Sequence, residues 1–202
     1  MKMNLPNKLT VLRLCLVPVI LIVGFMPSTV IPFYISCAIC AFLFIGTAIT
    51  DMFDGKIARR DGLITDFGKF LDPVADKFMV IGSQVAILTT MLLTADSGAD
   101  IAWCIVFTFL VLIILLRELG VTSLRLVVAG KSGIVVAASM LGKMKTVSQM
   151  VGTVVIILEP LIPVVSENHI LSYVCMAVMA FTTLFSGIDY LRAYMPYIDT
   201  NK

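Results

Sequence analysis

Charge is what this sequence lacks. Asp, Glu, Lys and Arg make up 14% of its 202 residues, against about a quarter in an ordinary soluble domain. A water-exposed surface over most of the chain is thereby excluded. Histidine occurs once, as His169, so a site built on several imidazoles is excluded too. The five cysteines, Cys15, Cys37, Cys40, Cys104 and Cys175, all fall in apolar runs. They read as small buried hydrophobes. There are no repeats, no low-complexity segments and no polar stretch long enough for a soluble domain, which leaves a single membrane domain over residues 1–202. The net charge of +2 is small, and nucleic acid is not an expected partner.

What is present is hydrophobicity: 59% of residues are apolar and the mean hydropathy is +1.04. Runs of the ~17 to 25 residues that cross a bilayer occur near 9 to 26, 31 to 50, 77 to 94, 101 to 117, 147 to 165 and 170 to 190. The expected fold is an all-α integral membrane protein of about six transmembrane helices. All fifteen Lys and Arg fall at or beyond span ends on one side, and the connections around 26–31, 95–100 and 167–169 contain none. The positive-inside bias therefore makes both termini and the 51–76 segment cytoplasmic. Pro6 is placed to open a short N-terminal helix lying in the interface, with Leu5 and Leu9 set against Lys2 and Lys8. No signal peptide is evident, because the first apolar run lacks a clear small-residue cleavage site and five more follow. A short chain without a transit segment points to a bacterial plasma membrane.

The charge that does occur is concentrated. Asp51 and Asp54 are three residues apart, and Asp72 and Asp76 four apart, so on helices each pair shares one face. Gly55, Ala58 and Arg59 follow the first pair, and Gly68 precedes the second. Carboxylates at a membrane boundary repel one another unless cations neutralise them. An oxygen-only donor set suits hard ions such as Mg2+, Mn2+ or Ca2+, and Mg2+ commonly shares its coordination with substrate phosphates. Gly55 and Ala58 would let a nucleotide approach the backbone, and Arg59 offers a fork for phosphate. The plain alternative is acidic residues solvating helix ends beside Lys56, Arg59, Arg60, Lys69 and Lys77, and it explains one Asp better than four. Asp61 and Gly62 supply the turn, Thr65 or Asp66 caps the returning helix, and Pro73 either begins or kinks it.

The pattern Asp51-x-x-Asp54-Gly55-x-x-Ala58-Arg59, eight residues, Gly68-x-x-x-Asp72-x-x-x-Asp76 resembles the signature of the CDP-alcohol phosphatidyltransferases at every defined position. Lys56 is one departure, at a place where these enzymes often carry an apolar or aromatic residue. The resemblance implies six helices around a cytoplasm-facing cavity, usually in a homodimer. It implies that Asp51, Asp54, Asp72 and Asp76 hold two Mg2+ or Mn2+ ions on the pyrophosphate of a CDP-linked donor. Asp76 would also take the proton of the attacking alcohol. Gly55, Ala58, Arg59, Thr65 and Gly68, with Asn7 and Thr10, would contact the donor.

A second basic set follows the fourth span: Arg117, Arg125, then Lys143 and Lys145 at a helix start. Arg117 and Arg125 lie about two turns apart and share a face, and a helix start favours an anion. The positive-inside bias alone explains Lys131 but not Arg117, which sits in an apolar run beside Glu118. The segments 5–13, 117–125 and 142–146 are similar to family members that use sn-glycerol 3-phosphate. That likeness implies phosphatidyl transfer from CDP-diacylglycerol to its primary hydroxyl, releasing CMP, with the four basic residues holding the acceptor phosphate. The rivals are the same fold with inositol phosphate, serine or phosphatidylglycerol as acceptor, a cation transporter, and a lipid-binding scaffold.

Overall fold

The computed structural model describes residues 4–60, 65–132, 139–162 and 168–197, except for the side chains of 52–59, 69, 131 and 132. Six long helices account for nearly all of it: α1 (Leu5–Phe25), α2 (Phe33–Arg60), α3 (Asp66–Thr94), α4 (Gly98–Ser132), α5 (Met140–Leu158) and α6 (Ile170–Tyr194). Each contains a stretch long and apolar enough to cross a membrane. No strand occurs among the described residues, and helices satisfy their own backbone hydrogen bonds within each segment, as hydrocarbon requires. The protein is thus a multi-pass, all-α membrane protein.

Local chemistry sets the helix starts. Asn4 accepts the Asn7 amide at 3.2 Å, with Pro6 in the first turn. Thr65 accepts the Gly68 amide at 3.0 Å and Ser139 the Gly142 amide at 3.1 Å. Of the two candidates for the α3 cap, Thr65 takes the role and Asp66 stands in the first turn. α6 is capped from outside itself: the buried Glu159 carboxylate receives the Leu171 and Ser172 amides at 3.0 and 3.1 Å. There the negative group offsets the positive end of the helix dipole.

α1 packs between α2 and α3, α5 against α6 and α2, and α4 against α3 and α6. Two apolar clusters bind the bundle. Val17 and Ile20 of α1 meet Phe44 of α2, Met79 of α3 and Ile157 of α5; Trp103, Phe107 and Ile114 of α4 meet Ile156 of α5 and Met179 of α6. Phe42, Leu93, Phe109 and Phe181 point outward, as lipid-facing side chains do. In lipid, close packing replaces the hydrophobic drive, so small residues matter where helices cross. A methyl group on Gly82 would stand 2.7 Å from Val17 Cγ1, and one on Gly152 2.8 Å from Met179 Sδ.

Three expectations are revised. Residues 5–10 are the first turns of α1, not an interfacial helix of their own. α4 runs well past its apolar stretch, because the helical hydrogen bonds continue where hydropathy falls. α2 and α3 carry the two Asp pairs on helix, with the α3 cap at Thr65, as the spacing requires. Pro73 consequently lies inside α3 and does not begin it. Cys15 faces outward, while Cys40 and Cys104 are buried as expected. The turn expected at Asp61 and Gly62 lies outside the described residues.

Because Gly82 admits Val17, Gly82→Val should force α1 and α3 apart at a cost of about 1–3 kcal/mol. The expected result is a lower melting temperature in detergent, checked against Gly98→Val, whose position has nothing within 4 Å of an added methyl.

Candidate active site

At the end where α2 and α3 carry their carboxylates, α1 presents three residues on one face: Asn7, Thr10 and Arg13, each buried. Each meets the start of α3. The Asn7 amide donates to Thr65 Oγ1 at 3.0 Å, the Thr10 hydroxyl to Asp72 Oδ1 at 2.7 Å, and Arg13 Nη1 to Asp76 Oδ1 at 2.7 Å. The same Arg13 nitrogen lies 2.5 Å from Asp51 Oδ1 on α2. One guanidinium therefore ties carboxylates of two helices from a third.

This arrangement brings Asp51, Asp72 and Asp76 together with Thr10, Asn7, Thr65 and Gly68. The glycine has a packing reason, since a methyl there would stand 2.9 Å from Asn7 Oδ1. Asp54, Gly55, Ala58 and Arg59 continue α2, but their side chains lie outside the described residues. Among the described residues, no three His, Cys, Asp or Glu side chains form a ready-made metal cluster. The donor set nonetheless fits a hard divalent ion: all oxygen, and drawn from two helices close enough to share one cationic nitrogen.

The basic set forms the opposite wall of the same space. A cavity of about 590 Å³ lies between α3, α4, α5 and α6, and its lining includes Asp72, Asp76, Arg117, Arg125, Lys143 and Lys145. Glu118 holds the cations in place. Its Oε1 accepts from Arg117 Nη1 at 2.9 Å and also from Lys145. Arg117 Nη2 donates to Ser186 Oγ at 2.5 Å, whereas its Nε is buried with no protein acceptor among the described residues. An unspent buried donor of this kind suits a site that receives an anion.

Tyr190 is the post on which the arginines rest. Arg117 and Arg125 lie 5.2 and 4.9 Å from its ring centroid, and Arg125 Nη2 donates to its hydroxyl at 2.6 Å. Gly142 makes room for that ring, since an added methyl would meet it at 3.2 Å. Lys77, one residue after Asp76, donates to Thr122 Oγ1 at 2.6 Å and joins the two walls.

Sequence reasoning missed Arg13, Glu118, Tyr190 and Ser186 as members of the site. Arg13 carried a usable signal, a charge within an apolar run, one turn after Thr10 and two after Asn7. Tyr190 carried none, because an aromatic in an apolar helix is ordinary.

Comparisons with known proteins show the chain's family. The chain is 36% identical over 208 residues to a Bacillus subtilis protein named CDP-diacylglycerol–glycerol-3-phosphate 3-phosphatidyltransferase, covering 98% of this chain and 99% of that one. Proteins of the same name from Rickettsia typhi and Yersinia pestis are each 35% identical, over 96% of this chain and 98% and 96% of theirs. Residues 3–185 match the family model described as CDP-alcohol phosphatidyltransferase. With its carboxylate signature, its six apolar helices and a match over nearly its whole length, this chain belongs to the CDP-alcohol phosphatidyltransferase family.

Proposed function

We propose that this protein transfers the phosphatidyl group of CDP-diacylglycerol to the primary hydroxyl of sn-glycerol 3-phosphate, giving phosphatidylglycerophosphate and CMP. The observation that carries this reading is one cavity with two walls, carboxylates on one and four cationic side chains on the other. A donor with a charged pyrophosphate and an acceptor with its own phosphate need two such unlike surfaces. A single phosphate-binding patch would serve only one of them.

The family's chemistry is metal-dependent. Here Asp51, Asp54, Asp72 and Asp76 would hold the ions, two in our reading, which supply charge neutralisation and polarisation of the donor's pyrophosphate. Asn7 and Thr10 set the α3 carboxylates against α1. Arg117, Arg125, Lys143 and Lys145 hold the acceptor's phosphate, so that its primary hydroxyl faces the donor. As the new oxygen–phosphorus bond forms and the bond to CMP breaks, Asp76 takes the hydroxyl proton through a carboxylate oxygen not engaged elsewhere. Asp76 suits that task because it belongs to the centre and also lines the cavity. The one-sided distribution of Lys and Arg supports a cytoplasmic position for this end of the bundle.

Purified protein in detergent should release CMP from CDP-diacylglycerol only when both Mg2+ and sn-glycerol 3-phosphate are present, and EDTA should stop the release. Metal-dependent release with another alcohol alone would reassign the acceptor. Asp76→Asn should lower turnover by about 10² to 10⁴-fold while the protein remains folded and monodisperse. Normal turnover in that variant refutes the base assignment.

Arg117→Ala and Lys145→Ala should act on the acceptor side. A rise of about 10 to 100-fold in KM for glycerol phosphate is expected from losing one charge-assisted contact, with KM for CDP-diacylglycerol near the wild-type value. Equal rises for both substrates would place these residues elsewhere in the mechanism.

A further inference from the structure

Arg13 stands in the apolar run of α1 with 1% of its side chain exposed. Its Nη1 lies 2.5 Å from Asp51 Oδ1 and 2.7 Å from Asp76 Oδ1, in direct ionic contact with both carboxylates. A divalent ion taken up by these carboxylates needs those oxygens, or sits within a few ångströms of the guanidinium. In a site of low effective dielectric, like charges that close oppose each other strongly.

Arginine does not relieve such opposition by losing its proton. Burial also denies it an easy retreat to water. Thr10, one turn earlier, is bonded to Asp72, which fixes the same face of α1 against α3. The competing charge is therefore built into the helix packing.

We propose that Arg13 is an internal competitor for the divalent ions of the carboxylate centre, keeping their affinity low until the donor's pyrophosphate supplies further negative charge. This rests on the reading of the four Asp as metal ligands. The consequence is coupled loading: ions and donor enter together, and the ions' hold weakens once CMP carries its phosphate away. Arg13 acts here as a positioning residue, through the carboxylates and not on the reacting atoms.

The test is Mn2+ binding to the full chain in detergent micelles, followed by electron paramagnetic resonance without acceptor, in the presence and absence of CDP-diacylglycerol. Wild-type protein should bind Mn2+ weakly alone and about tenfold or more tightly with the donor. Arg13→Gln should bind Mn2+ alone about tenfold more tightly than wild type, with a correspondingly smaller gain from the donor. Arg13→Lys, which keeps the charge, should stay within about threefold of wild type. Equal or weaker binding by a folded Arg13→Gln overturns the proposal. If Arg13→Gln does not fold, wild-type affinity that is the same with and without donor overturns it instead. An absence of Mn2+ binding in every sample, with and without donor, overturns the metal reading itself and this proposal with it.

Discussion

A charge placed in the apolar part of a membrane helix must find a partner, and the site end of this bundle is organised by that requirement. Arg13 cannot face lipid and cannot be neutralised. It is satisfied by carboxylates from α2 and α3, and those carboxylates are in turn kept from repelling one another by the guanidinium. The position of α1 follows from this mutual need as much as from apolar packing. Below it, Val17 enters the space that Gly82 leaves, so the glycine's missing side chain sets how closely the charged groups above can meet.

The second wall solves the opposite problem, that of holding cations together. Arg117 and Lys145 would separate if left to Coulomb repulsion, and Glu118 bridges them. Tyr190 accepts the Arg125 hydrogen bond and offers its ring to both arginines. The charged pocket thus persists because Arg117, Arg125 and Lys145 each have a partner that fixes their direction, while the Arg117 Nε donor stays unspent. Pre-placed donors of this kind need little reorganisation when an anion arrives.

Much of this was legible in the chain itself. The six spans were visible because hydrocarbon permits one answer to a run of some twenty apolar residues. The spacing of Asp51, Asp72 and Asp76 was visible because helical periodicity projects it onto a face. The helical ends of α2 and α3 were legible from the Asp spacing and the Thr65 cap, whereas the long extension of α4 to Ser132 was not, since a hydropathy window stops at the first charges and backbone hydrogen bonds do not. Arg13 was marked as needing a partner by its place in an apolar run, but its partners lie 38 and 63 residues away, and local sequence does not name them. Tyr190 and Ser186 escaped for the same reason. Cys15 was misplaced because composition distinguishes apolar from polar surroundings, not the interior of a bundle from lipid.

The two walls come from different parts of the chain. α1, α2 and the first turns of α3 build the carboxylate centre, while α4, α5 and α6 bring most of the cationic wall, and α3 serves both. Such a division makes the molecule modular. On the proposed reading, changes in the second half would alter which alcohol is accepted while the carboxylate centre in the first half stays as it is.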